Sequence, residues 1–162
     1  MKFYEKRRKA FANTMSYMQS RHGFGSAATH LISVFDWNSA KKVVEIGGGL
    51  GDTGAKIVKS TSETIWVVQD LPDIIYQAQE KVSAELKERL KLMPHNFFEE
   101  QPVKDADVFF LRWVLHDWSD EQAMIILRAL VPALNKGTHV IVQEFIVPDS
   151  GTVPFYFEKT IR

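Results

Sequence analysis

The chain has 162 residues, 45% of them hydrophobic and 25% charged, enough for one domain with a substantial core. Lys and Arg total 20 and Asp and Glu total 20, so the balanced charge gives no general pull toward nucleic acid or a membrane. Cysteine is absent, which excludes disulfides and cysteine-ligated metals, and no apolar run reaches the roughly 18 residues of a membrane span.

The N-terminus is charged and aromatic, without the apolar stretch of a secretory signal, and the expected location is cytoplasmic. Residues 2–19 place Phe3, Ala10, Phe11, Met15 and Met18 at helical spacing, which reads as a core-facing stripe rather than a cofactor site. The basic cluster at residues 6–9 reads as a solvated helix face. Residues 20–26 carry two glycines and read as a loop, and residues 27–35 as a short helix. From Lys41 the rhythm changes. Val43, Val44 and Ile46 signal a buried strand, followed by a glycine-rich run and a helix over residues 53–59. Residues 65–68 form a second strand ending at Gln69-Asp70, and Pro72 suits the first turn of the next helix. Residues 90–93 are a weaker third strand and residues 107–114 a dense fourth. Ser119 with Gln122 makes a capping box for a helix presenting Ala123, Ile126, Leu127, Leu130 and Leu134. A fifth strand covers residues 139–147. This alternation predicts an α/β domain with a mostly parallel sheet and helices on both faces, whose ligands bind beyond the carboxyl ends of the strands.

The glycine run reads in two ways. Gly49-Leu50-Gly51-Asp52-Thr53-Gly54 satisfies the dinucleotide spacing, with Asp70 19 residues after Gly51. Glu45-Ile46-Gly47-Gly48-Gly49-Leu50-Gly51 instead sets an acid before alternate glycines. Charge favours the second reading. Glu45 and Asp52 bracket the loop and repel a pyrophosphate, whereas they suit the ammonium and sulfonium of S-adenosyl-L-methionine. A loop that merely turns the chain is the bland alternative. Asp70, at the end of the second strand, suits both ribose hydroxyls with either cofactor, or caps the helix ahead of Pro72. Asn96 can accept from an adenine amino group and Phe97 can pack on the ring, although Phe97 and Phe98 suit core packing equally well.

The most specific stretch is Leu111-Arg112-Trp113-Val114-Leu115-His116-Asp117-Trp118-Ser119-Asp120. It resembles the His-Asp-Trp segment of the small-molecule O-methyltransferases that include the caffeic acid and flavonoid enzymes. The likeness is collinear through Asp36-Trp37, Val44-Glu45-Ile46-Gly47-Gly48-Gly49, Gln69-Asp70-Leu71-Pro72, Asn96-Phe97-Phe98, Gln101-Pro102-Val103, Gln143-Glu144 and Pro148. It implies a Rossmann-like class I methyltransferase core over residues 39–162, preceded by a helical segment, residues 1–38, left from a dimerisation region. The resemblance assigns Glu45, Gly47, Gly49 and Gly51 to the donor loop, Asp70 to the ribose, and Asn96 with Phe97 to the adenine. It places Arg112 near the donor, His116 as general base and Glu144 as a carboxylate flanking that base. Asn96 departs from the aspartate expected there, which bears on donor affinity.

A neutral imidazole can take the proton of a phenol as the new bond forms, and the rest of methyl transfer is positioning. Asp117 reads as a loop or cap carboxylate. No metal-ligand pattern stands out, so metal-independent chemistry on a small hydroxylated aromatic is expected. The resemblance further implies helices before this core, and sheet and pocket elements after it, including a second carboxylate for the base. The sequence is therefore expected to be truncated, weak as a catalyst on its own and self-associating, with an open fifth strand and apolar cover lost from Phe155, Tyr156 and Phe157. A noncatalytic donor-binding module, a member remodelled for other chemistry and a nicotinamide-dependent oxidoreductase stay open as alternatives.

Overall fold

The computed structural model describes residues 2–20 and 26–144. In chain order the elements are α1 (Lys2–Ser20), α2 (Ser26–Val34), β1 (Lys42–Ile46), α3 (Asp52–Ser60), β2 (Ile65–Asp70), α4 (Pro72–Lys81), β3 (Leu90–Pro94), β4 (Val108–Arg112), α5 (Asp120–Leu130) and β5 (His139–Gln143). The strands pair in parallel in the order β3-β2-β1-β4-β5. β1 and β4 are central and covered on both faces, so they read as nearly unbroken apolar runs rather than alternating ones. On one face Val43, Trp66, Val68, Val108 and Phe110 pack against α2, α3 and α4 through Leu31, Ile57, Val58 and Ile75. On the other, Val44, Ile46, Phe109 and Leu111 pack against Ile126 and Leu130 of α5. The strand order reverses between β1 and β4, which opens a crevice beyond their carboxyl ends.

Several boundaries differ from the sequence expectations for local reasons. α5 has the expected capping box, with Ser119 accepting from the Gln122 N–H and Gln122 reaching back to the Ser119 N–H. It stops at Leu130 rather than reaching Leu134, because Pro132 has no N–H with which to continue the helix, and a 3₁₀ turn over Val131–Ala133 follows. β4 ends at Arg112, and the next residues turn into a short 3₁₀ segment, Leu115–Asp117. The connection from β3 to β4, residues 95–107, contains no helix. The pairing of β5 reaches Gln143. Its expected continuation through Val147 lies outside the described residues, as do Phe155, Tyr156 and Phe157.

The stripe on α1 requires a correction. Ala10 and Phe11 are exposed, Phe11 at 59%, and the buried positions are Ala12 and Ser16. The side chains of Phe3 and Met18 lie outside the described residues. α1 rests on α4 through a polar seam: Arg8 Nε to Asp73 Oδ2 at 3.1 Å, Gln77 Nε2 to Asn13 Oδ1 at 2.6 Å, and Lys81 Nζ to Ser16 Oγ at 2.8 Å. Its apolar residues Phe11 and Met15 line a cavity instead of the core.

Candidate functional site

A cavity of about 600 Å³ lies beyond the carboxyl ends of β1, β2 and β4, with α1 as one wall. Its floor is the glycine loop after β1. Gly47 has φ +66°, and a Cβ there would come within 2.9 Å of Val114 Cγ2, so any side chain would be both strained and crowded. The loop is tied to the end of β2. The Gly48 N–H donates to the Gln69 carbonyl at 3.0 Å, and the Gly49 N–H to Asp70 Oδ2 at 2.8 Å. The other Asp70 oxygen accepts from the Leu71 N–H at 2.7 Å. Asp70 thus bridges strand and loop and does not cap α4, whose N-cap is Leu71. Burial pushes its carboxyl up from the ordinary value, opposed by the Leu71 and Gly49 N–H groups.

Glu45 is buried, and its Oε2 accepts from Trp66 Nε1 at 2.7 Å. Burial pushes its carboxyl up to about 7, against the lowering effects of the Trp66 bond and the Arg112 charge. The carboxyl is therefore anchored to β2 and keeps its proton to higher pH than an ordinary carboxylate. Asp52, in the first turn of α3, also lines the cavity. Arg112 closes β4. Its Nε donates to Gln143 Oε1 at 2.8 Å, Nη1 lies 3.4 Å from Thr53 Oγ1, and the guanidinium stacks 3.5 Å over the Trp113 ring. Trp113, with φ 56°, is the only non-glycine residue of positive φ among the described ones. Such strain costs about 1–3 kcal/mol and concentrates at functional sites.

Another part of the lining comes from Asn96, Phe97 and Phe98. The His95 N–H donates to the Asp70 carbonyl at 2.9 Å. Asn96 Oδ1 accepts from the Phe98 N–H at 3.2 Å, and its Nδ2 donates to Glu99 Oε1 at 3.3 Å. Phe97 lines the cavity and also packs edge-on against Phe98 and Trp118.

His116 sits on the 3₁₀ turn, with Nδ1 bonded to Glu144 Oε2. Glu144 Oε1 accepts from the Val114 and Leu115 N–H groups at 2.9 and 2.7 Å, so one carboxylate fixes both the turn and the ring. Asp117, expected as a loop or cap carboxylate, ends the same 3₁₀ turn, with its Oδ1 3.5 Å from His116 Nε2. The tight turn folds these sequence neighbours onto each other.

Glu45, Gly47, Gly49, Asp70, Asn96, Phe97, Arg112 and His116 all border one cavity. Gly51 does not border it and forms the N-cap of α3, while Glu144 backs His116 from behind. Sequence reasoning missed the α1 wall, and it gave no role to Trp113. Helical spacing reveals a stripe but not the surface that the stripe faces. Among the described residues no cluster of three or more His, Asp or Glu is arranged to hold a metal ion, and no helix is long and apolar enough to cross a membrane.

The sheet order and the cavity at its switch point define a Rossmann-like class I methyltransferase fold. The chain belongs to the O-methyltransferase family, whose O-methyltransferase domain matches residues 2–158. It is 37% identical to a grayanic acid biosynthesis cluster O-methyltransferase of Cladonia grayi, over 100% of this chain and 36% of that protein. Among solved structures it resembles human N-acetylserotonin methyltransferase in complex with S-adenosylmethionine, with TM-score 0.79 and 21% identity over 96% of this chain and 43% of that one. It also resembles an O-methyltransferase from neocarzinostatin biosynthesis, in complex with S-adenosylmethionine and 2-hydroxy-5-methyl naphthoic acid. That match has TM-score 0.71 and 28% identity over 82% of this chain and 39% of that one. The chain spans between 17 and 40% of the length of such curated relatives.

Proposed function

We propose that the chain is the donor-binding and proton-accepting part of an S-adenosylmethionine-dependent O-methyltransferase acting on a hydroxyl of a small aromatic natural product. The observation that carries this reading is one cavity lined by the glycine loop, Asp70 and His116, with Glu144 bonded to the His116 ring. The residues present fit the donor. Asp70 can accept from ribose hydroxyls, Asn96 and Phe97 offer an amide and an aromatic ring to adenine, and Gly47 and Gly49 leave room for the methionine end. The carboxylates of Glu45 and Asp52 suit a cationic group and oppose a pyrophosphate. Arg112 completes the donor side. When bound, S-adenosylmethionine supplies an electrophilic methyl group on its sulfonium.

The chain's own residues do the rest. Glu144 holds the proton of His116 at Nδ1, which leaves Nε2 as the basic nitrogen. Nε2 takes the acceptor's hydroxyl proton as the oxygen becomes nucleophilic, with the Glu144 and Asp117 carboxylates beside the ring. Phe11, Met15 and Trp113 give the acceptor an apolar, aromatic surround. The names of the relatives, a biosynthesis-cluster enzyme and an enzyme bound to a naphthoic acid, support a secondary-metabolite acceptor. Val140 and Val142 on β5, exposed at 40% and 45%, leave apolar surface on one face of that strand, which supports self-association.

Calorimetric titration tests the donor. S-adenosylmethionine or S-adenosylhomocysteine should bind, and NAD should not; tighter binding of NAD would replace this reading with a dehydrogenase. Asp70→Ala should weaken the methyl donor by about 1–3 kcal/mol, since it strands hydroxyls and the Gly49 N–H.

A further inference from the structure

The crossover that carries the lining residues Asn96, Phe97 and Phe98, residues 95–107, has no helix to brace it. A pair of glutamines braces it instead. Gln69, the penultimate residue of β2, and Gln101, in the crossover, are each 1% exposed. Gln69 Nε2 donates to Gln101 Oε1 at 2.9 Å, and Gln101 Nε2 donates back to Gln69 Oε1 at 2.8 Å. Gln101 Oε1 also accepts from the Val103 N–H at 3.1 Å, and Gln69 Nε2 lies 3.4 Å from Met93 Sδ. The main chain on either side is committed too. The Gln101 N–H donates to the Ala129 carbonyl at 3.0 Å, and the Gln69 carbonyl accepts from Gly48 of the donor loop at 3.0 Å.

Met93, Phe98 and Val103 belong to the apolar cluster on this face of the sheet, so apolar side chains at positions 69 and 101 would serve burial alone. An amide pair adds direction. Apolar contact is non-directional, whereas two reciprocal hydrogen bonds fix the distance and angle between the segments they join. Those segments are the end of β2, with Asp70 and the attached glycine loop, and the crossover that carries Asn96 and Phe97.

We propose that Gln69 and Gln101 are positioning residues for the nucleoside half of the cavity, holding residues 95–98 in register with Asp70 and the glycine loop. Neither side chain borders the cavity, so the pair acts through Asp70, Asn96 and Phe97. The inference rests on the donor reading above.

Gln69→Met, Gln101→Met and the double variant separate positioning from stability. Each single change leaves one amide without its partner in an apolar interior and lowers the melting temperature. The double variant removes both amides and keeps a similar volume, so it regains part of the lost temperature, with the Val103 N–H still lacking its acceptor. Affinity does not return with it: the Kd for S-adenosylhomocysteine, by calorimetry, stays about 10-fold above that of the unsubstituted chain. At saturating donor, turnover of an active protein containing the double variant is unchanged. Native affinity in the double variant, or a Kd that simply follows melting temperature across the four proteins, overturns the inference while leaving the donor reading intact. An unsubstituted chain that binds no S-adenosylhomocysteine overturns both. Gln101→Glu gives a second measurement should the double variant not fold. Its protonated carboxyl restores the lost donor, so its Kd relative to the unsubstituted chain approaches 1 at low pH and rises with pH. A ratio independent of pH counts against the pair.

Discussion

Glu45 binds a proton in the folded chain that the unfolded chain releases much earlier, because burial lifts its carboxyl from 4.5 to about 7. A raised acid subtracts from stability: its contribution is neutral below pH 4.5, falls as pH rises toward 7 and is constant above. The whole penalty is on the order of 3 kcal/mol. Glu45→Gln keeps an acceptor for Trp66 Nε1 without the charge, so urea melts of this variant should show a flatter decline between pH 5 and 7 and higher stability at pH 8. Asp70, raised in the same direction, leaves a residual slope in both proteins. An unchanged profile would mean that the Glu45 carboxyl titrates alike in the folded and unfolded chain. At His116 the expectation concerns chemistry. In an active protein containing this chain, His116→Ala should cut turnover by roughly 10²–10⁴-fold with donor affinity nearly intact, and a retained rate on a phenol at neutral pH would remove it as base. These residues were legible because their chemistry is tied to order along the chain. What they touch was not. The two N–H groups on Asp70, the Trp66 indole on Glu45 and the approach of Asp117 to His116 Nε2 depend on turn geometry that composition and spacing do not encode.

The strands and sheet-covering helices were legible because their apolar periodicity is consumed by a single partner, the sheet. α1 shows where that logic fails. Its Phe11 and Met15 are spaced as a core stripe would be, yet small Ala12 and Ser16 make the close approach and the polar seam to α4 fixes the orientation. A helical period cannot distinguish a core from a cavity wall. The crossover after β3 is opaque for a related reason: its anchor is a polar pair with no periodic signature. Where α3 meets β2, one position decides the fit. A Cβ on Gly54 would lie 2.5 Å from Trp66 Cδ1 and 3.0 Å from Leu90 Cδ1, so the helix approaches the sheet closely only because this residue has no side chain. Gly54→Ala gains helix propensity but must displace a buried indole that also holds Glu45. It should destabilise the chain by about 1–3 kcal/mol, read as a lower melting temperature. A neutral or stabilising outcome would show that α3 can move away from the sheet without cost.

No single element owns the cavity. α1 supplies Phe11 and Met15, β1 and its loop Glu45, Gly47 and Gly49, the end of β2 Asp70, the helix-free crossover Asn96 and Phe97, and the end of β4 Arg112 through His116. A donor seated there touches segments that are otherwise joined mainly through the sheet and the α1–α4 seam, so its binding energy is shared by the whole fold. A ligand that binds only the folded state at 100 times its Kd adds about 2.7 kcal/mol. For a chain of this length that corresponds to a rise of about 5–10 °C in melting temperature. S-adenosylhomocysteine should produce this rise, and NAD at the same concentration should not. Asp70→Ala should lose most of the rise at equal ligand concentration, because its affinity drops while its own fold remains. If the ligand shifts the melting temperature of Asp70→Ala as much as that of the unsubstituted chain, Asp70 ties β2 to the glycine loop without contacting the donor. If it shifts neither, the cavity does not hold a nucleoside thioether, and the assignment of the glycine loop to a methyl donor is wrong.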